Sequence, residues 1–280
     1  MTRRSVLFTP ADRPEMMRSA AESAADVLVF DLEDAVAPDA KPNAREAIQT
    51  VLSDPDFDPD AEVYVRVNPV GLAAGADLDG ITPVSHHLDG VMLPKVRSAD
   101  DVETLGEMLA EHDVPAKVFA LIESAAGVLA AEKIAAAGPT VAVAFGAEDL
   151  SADIGATRTE EGLEVLHARE TVVLAAAAAG VDAIDTVYTD FEDLEGLEAE
   201  TRFAAQLGYD GKLAIHPAQV DPINRAFTPD PADVEWARRV VEENESTNEA
   251  VFQVDGEMID APLLAQAERI LSRAGSSNSS

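Results

Sequence analysis

Short apolar runs alternate with segments of helical spacing through most of the chain. The runs are SVLFTP (5–10), DVLVFDLED (26–34), EVYVRVN (62–68), GVMLPK (90–95), KVFALIE (117–123), VAVAFGAED (141–149), DAIDTV (182–187) and KLAIHP (212–217). Runs this apolar and β-compatible are the pattern of strands buried on both faces, as in parallel sheets. Between them, residues 14–24, 42–53, 99–111, 126–137, 163–179 and 193–207 carry helical periodicity, and another helix is expected at 231–244. The segment 69–89 is the weakest helix of the series, with Gly71, Gly75, Gly80 and the adjacent His86 and His87.

Eight βα units in order predict an α/β fold, a TIM-type (β/α)8 barrel, more simply than a doubly wound sheet. The barrel is expected to occupy residues 1–245. After the polar break ESTNEA come VFQVDGEMID and a helical stretch, which predict a C-terminal extension over 246–275 that packs on its own barrel or reaches a neighbouring subunit. GSSNSS reads as a flexible tail at 276–280.

Charge changes the picture of the surface. The chain holds 53 Asp and Glu against 20 Lys and Arg, a net charge of −33, and only five of the cations are Lys. Nucleic acid and anionic membrane are electrostatically disfavoured partners. With 47% hydrophobic residues, disorder is not the explanation, which leaves adaptation to high salt, where self-repulsion is screened. Most acids are then solvating, so only those at strand ends are candidates for chemistry. No apolar stretch is long enough to span a bilayer. The N-terminal arginine pair precedes an apolar run broken by Pro10, Asp12 and Arg13, so a cytoplasmic protein without an export signal is expected. With no Cys there is no disulfide framework or thiolate site. No P-loop, dinucleotide-binding glycine motif or nucleophile elbow is present.

A parallel barrel carries its chemistry at the C-terminal ends of its strands. Those ends present Arg13 after strand one, Asp31, Glu33 and Asp34 after strand two, Arg66 and Asn68 on strand three, Lys95, Glu123, the pair Glu148 and Asp149, Asp185, and His216. Side chains alternate along a strand, and Arg66, Glu123 and Asp149 are the best candidates to point inward. Glu123 and Asp149 lie 26 positions apart, about one βα unit. Carboxylates crowded in a partly desolvated mouth raise one another's pKa, and a divalent cation relieves them. Oxygen-only donors favour Mg2+, with Mn2+ as the alternative, over zinc. The competing reading makes each acid a helix N-cap. Arg66 would face a carboxylate or enolate of the substrate, or pair with Glu33 or Asp34, and both roles can coexist. Arg13 and Lys95 would hold phosphates or balance the acids. A lone His216 reads as structural more readily than catalytic.

The segments FTPADRPEMM, VFDLEDAVAPDAK, VYVRVN, VMLPKV, ALIESAAGV, AFGAEDLSADIG, LGYDGKLAIHPAQV and INRAFTP together resemble the citrate lyase β-subunit-like branch of the HpcH/HpaI aldolase superfamily. They span residues 5 to about 245. The resemblance implies Mg2+-dependent cleavage or formation of a carbon–carbon bond next to an acyl-thioester. It puts the metal ligands on Glu123 and Asp149 and the substrate arginine on Arg66, with Phe8, Arg13 and Lys95 near CoA, in a homotrimer or hexamer. The tail DGEMIDAPLLAQAERIL resembles the C-terminal segment of malyl-CoA lyases and citramalyl-CoA lyase-like proteins. There the aspartate matching Asp260 enters an adjacent subunit's site as acid or base. Ala11 departs from the Pro-Gly that usually ends the first strand. The acidic, Lys-poor composition resembles haloarchaeal proteins. The implied activity is a lyase acting on a 3-hydroxyacyl-CoA such as malyl-, β-methylmalyl- or citramalyl-CoA. The alternatives are a malyl-CoA thioesterase, or a citrate lyase β subunit acting on an acyl-carrier-protein thioester.

Overall fold

The computed structural model describes residues 2–247 and 250–277, with side chains through 275. Residues 278–280 of the expected tail lie outside the described residues. The chain divides into two compact units, Arg3–Asn224 and a second beginning at Arg225.

In the first unit eight parallel strands close into a barrel: β1 (Ser5–Pro10), β2 (Val27–Asp31), β3 (Glu62–Arg66), β4 (Gly90–Leu93), β5 (Val118–Ile122), β6 (Thr140–Phe145), β7 (Asp182–Asp185) and β8 (Gly211–Ala214). Each pairs with its neighbour in chain order, and β1 closes against β8. Sequential pairing follows from the helical crossovers, which return the chain beside the strand it left. Strand positions alternate between two packed faces. Val6, Val27, Val29, Tyr64, Met92, Phe119, Leu121, Ala142, Ala144, Ile184 and Leu213 form one cluster fed by every strand, the filled barrel interior. The intervening Leu7, Leu28, Phe30, Val65, Val91, Ile122 and Phe145 are fully buried as well, under the surrounding helices. Burial on both faces explains why the strands read as nearly unbroken apolar runs.

The N-terminal end of the barrel is shut by Arg3. Its guanidinium pairs with Glu62 at 2.6 Å and Asp182 at 2.7 Å, at the starts of β3 and β7, and lies 5.1 Å from the centroid of the Phe119 ring.

The helices match the periodic segments with four differences, one of them a helix over Val220–Phe227 that the periodicity does not announce. Residues 126–137 form two short helices, Ala125–Leu129 and Ala131–Ala135, divided at Ala130. The weak segment after β3 forms a helix, Ala74–Ile81, and a 3-10 turn, Thr82–His87. An unexpected helix, Ala147–Ile154, begins directly after β6. Among the described residues no helix is long and apolar enough to cross a membrane.

In the second unit, helices Pro231–Ser246 and Ala261–Ser277 and the hairpin β9 (Phe252–Val254) and β10 (Glu257–Ile259) enclose a small core around Ala237, Val240, Ile259 and Ala267. The hairpin turns at Asp255 and Gly256, both at positive φ (53° and 87°), as a tight antiparallel turn requires. Asp260 opens the last helix, its Oδ1 accepting the Leu263 amide at 3.3 Å.

Candidate active site

Strand parity selects what faces the mouth. On β2 the inward series Val27, Val29 continues to Asp31; on β3 Tyr64 is followed by Arg66; beyond β5 Phe119 and Leu121 lead to Glu123. The β2–β3 register sets Asp31 directly opposite Arg66. The Arg66 Nε donates to Asp31 Oδ1 at 2.7 Å, and its terminal nitrogens reach Asp31 Oδ2 at 2.5 Å and Glu33 at 3.4 Å. The ring of Phe8 lies 4.9 Å from the guanidinium carbon. Burial works against the Arg66 charge, but Asp31, Glu33 and Glu123 more than offset it and raise its pKa. The ion pair expected with Glu33 or Asp34 therefore forms mainly with Asp31, the cross-strand neighbour. Asp31 also accepts the amides of Glu33 at 2.8 Å and Ala35 at 3.2 Å, which folds the following loop back over the pair.

Glu123 directly follows β5 and is buried. Its Oε1 accepts the Lys95 amide at 2.7 Å. Burial pushes its carboxyl up to about 8, helped by repulsion from Asp149 and Glu33 against the Lys95 amide and Arg66. Lys95 itself sits at φ 54°, a left-handed conformation that costs a non-glycine residue on the order of 1 kcal/mol. The Lys95 ammonium contacts Glu33 and lies 3.4 Å from Asp34. Burial raises the Glu33 pKa, with Lys95 and Arg66 opposing it. Asp34 shifts down despite partial burial, through Glu33, Lys95 and Arg66.

Asp149 stands in the first turn of the helix Ala147–Ile154, beyond the strand end. Gly146 leads into that turn. A Cβ on Gly146 would lie 2.6 Å from Glu123 Cβ and 2.8 Å from Glu123 Oε2, so only glycine leaves the Glu123 carboxylate its place. The Ala147 amide donates to Thr186 Oγ1 at 3.0 Å. Neither acid is a cap: Ser124 caps the helix after β5, accepting the Gly127 amide at 3.1 Å, and Gly146 occupies the N-cap position of the other. Glu148 pairs with Arg158 at 2.9 Å.

A cavity of about 430 Å³ opens at the C-terminal mouth. Its charged arc comprises Asp31, Asp34, Arg66, Glu123, Glu148 and Asp149; its apolar arc is built from Phe8 on β1, Val187 after β7, and Leu213 and Ile215 on and after β8. Arg13, Lys95, Glu33 and His216 are not among the lining residues. Arg13 is exposed and lies 3.7 Å from Asp12. His216 accepts the Ala218 amide through Nδ1 at 3.1 Å and stacks on Phe191. Asp185 faces outward, fully buried between Arg169 at 2.6 Å and Lys212 at 2.7 Å. Thr186 and Gly146 carry no sequence signal; a lone hydroxyl after a strand and a glycine before an acidic helix have no pattern of their own.

Among the described residues no group of three or more His, Cys, Asp and Glu side chains is placed to hold a metal ion, and two carboxylates are too few for a closed structural metal site. They match a cation that keeps positions for water and substrate, as Mg2+ does. Burial, with smaller contributions from Asp149 and Glu33, raises the Glu123 carboxyl, and a cation held beside it would favour its charged form.

Charged side chains gathered at the C-terminal mouth of a closed parallel barrel are the layout of a barrel enzyme. Comparison narrows the class: residues 4–217 match the HpcH/HpaI aldolase/citrate lyase family, and the chain belongs to that family. It is 42% identical over 279 residues to a citrate lyase subunit beta-like protein of Mycobacterium tuberculosis, covering 98% of this chain and 96% of the relative. It is 35% identical to human mitochondrial citramalyl-CoA lyase, covering 98% of this chain and 86% of that one. The crystal structure of Mycobacterium tuberculosis CitE in complex with magnesium, acetoacetate and coenzyme A superposes with a TM-score of 0.81 at 40% identity, covering 98% of both chains.

Proposed function

We propose that this protein is a Mg2+-dependent carbon–carbon lyase that cleaves a 3-hydroxyacyl-CoA of the malyl-, β-methylmalyl- or citramalyl-CoA type into a 2-oxo acid and an acyl-CoA. The observation that carries the reading is the buried Glu123, its pKa raised beside Asp149, in a cavity that also holds Arg66. Glu123 and Asp149 are the residues that would hold the cation. When bound, Mg2+ supplies Lewis-acid stabilisation of negative charge on the oxygens of the substrate's hydroxy-acid end.

In the reaction, the bond between the hydroxyl-bearing carbon and the carbon α to the thioester breaks. Its electron pair passes to the thioester as an enolate. The hydroxyl loses its proton and becomes the carbonyl of the 2-oxo acid, and the α-carbon takes up a proton. Arg66, kept charged by Asp31 and Glu33, stabilises the enolate. Its rigid pairing presents the guanidinium without reorganisation at the moment of reaction. Phe8 and the apolar arc exclude water from that side, which strengthens each electrostatic contact. Asp260, contributed by a second copy within a homo-oligomer, is the proton donor to the α-carbon in this reading.

The deciding experiment incubates the full chain with malyl-CoA or citramalyl-CoA, Mg2+ and high KCl, and identifies the products. Acetyl-CoA with glyoxylate or pyruvate is the expected outcome. Free CoA with malate or citramalate would make the protein a thioesterase. No turnover, with co-purification of an acyl-carrier protein, would make it a citrate lyase subunit. Asp260→Asn should leave metal binding intact and abolish proton exchange at the acyl α-carbon; retained exchange would remove Asp260 from the mechanism.

A further inference from the structure

Asp149 has no hydrogen-bond or ion-pair partner of its own among the described residues, and it does not sit on a strand. Its place relative to Glu123 is therefore set by the turn that joins β6 to its helix. That turn is fastened on two sides. The Gly146 amide donates to Ile122 O at 3.0 Å, tying it to the end of β5 just before Glu123. The Ala147 amide donates to Thr186 Oγ1 at 3.0 Å in a buried hydrogen bond, tying it to the end of β7. Gly146 has no side chain with which to cap its own helix, so a hydroxyl from the neighbouring strand satisfies the first free amide instead. Thr186 is buried at the cavity wall. Its predecessor Asp185 points the opposite way, into Arg169 and Lys212, which hold the end of β7 from outside.

We infer that Thr186 is a positioning residue for the metal site: through the Ala147 amide it fixes the turn that holds Asp149 at the spacing from Glu123 that a divalent cation needs. The inference rests on the metal reading of Glu123 and Asp149 given above. Without the hydroxyl, the Ala147 amide loses the acceptor it has among the described residues. A group in that state seeks another partner, and the turn shifts with it.

The test measures Mn2+ binding to the full-length protein by electron paramagnetic resonance, with folding checked by circular dichroism. Thr186→Val keeps the shape and removes the hydroxyl; it should weaken Mn2+ binding roughly five- to tenfold, the equivalent of one net hydrogen bond. Thr186→Ser should stay within about twofold of the unmodified protein. Thr140→Val deletes a buried hydroxyl bond to Ile134 O at the other end of β6 and should leave Mn2+ affinity unchanged. In turnover, Thr186→Val should raise the Mg2+ concentration needed for half-maximal rate while kcat at saturating Mg2+ holds. If Thr186→Val does not fold, Thr186→Ala replaces it. Unchanged Mn2+ affinity in the hydroxyl-less variant overturns the inference and leaves the metal reading standing, as does a Thr186→Ser variant as weak as Thr186→Val. Failure of the unmodified protein to bind Mn2+ overturns both.

Discussion

Exchanging Glu123 for glutamine removes one charge while keeping the side chain's shape and its acceptor for the Lys95 amide. The folded carboxyl titrates near 8, mainly through burial, whereas in the unfolded chain it returns to the ordinary 4.5. Below the unfolded value the group is protonated in both states and costs nothing. Between the two values the unfolded chain releases a proton that the folded one keeps, so unfolding is favoured by about 1.4 kcal/mol for each pH unit. The metal-free protein thus loses stability as pH rises through this window, by about 3 kcal/mol at pH 7 and by a ceiling of about 5 kcal/mol above pH 8. Glutamine carries no such penalty. Glu123→Gln should therefore be more stable than the unmodified protein in EDTA, with a gap that opens from pH 5 to pH 8. Urea unfolding of both proteins at one fixed KCl concentration measures it, and the titrations of the many other acids cancel in the difference. Added Mg2+ should stabilise only the unmodified protein. A difference that does not change with pH, or a variant that is the weaker of the two at pH 8, would refute the reasoning.

Gly146→Ala should weaken Mn2+ binding at least tenfold, because the new Cβ meets Glu123 Oε2 at 2.8 Å, and should cost about 1–3 kcal/mol of stability from overpacking; calorimetric titration and thermal melts read both. Arg66→Lys loses the two-pronged contact with Asp31 and should lower kcat by about 100-fold or more while sparing Mn2+ affinity, in line with the loss of one preorganised donor to a developing oxyanion; steady-state kinetics beside Mn2+ titration separate the two. Asp185→Asn leaves Arg169 and Lys212 short of a counter-charge inside the protein and should destabilise it by about 3–5 kcal/mol, with unchanged Mn2+ affinity at temperatures where it is folded.

The eight strands were legible because nearly every position on them is buried. The helix at 99–111 was legible from its spacing, and Ser98 and Asp101 form a capping box at its start. Elsewhere the pattern was blind for physical reasons. The helix Ala147–Ile154 follows β6 without a break, and its acidic first turn read as a strand tip. The hairpin of β9 and β10 has strands of three residues each, too short for alternation to show. Glu123, Asp149 and Arg66 could be picked out as strand-end charges. The partner of Arg66 could not, because only the β2–β3 register makes it Asp31. In DAIDT, parity alone does not say whether Asp185 or Thr186 faces the mouth; the Arg169 and Lys212 that draw Asp185 outward come from the preceding helix and the next strand.

Closure of the barrel joins Leu7 to Ala214, and Arg3 spans to Asp182. During synthesis, β1 has no second neighbour until most of the first unit has been made. For that interval the growing sheet has two open edges of the kind that invite pairing with other chains. Arg3 and Arg4 stand just ahead of β1 at one such edge, where charged side chains hinder pairing with another chain, and the 53 acids along the sequence hold water around the unfinished chain. The acidity that keeps the finished surface hydrated also shields the unfinished barrel from its neighbours.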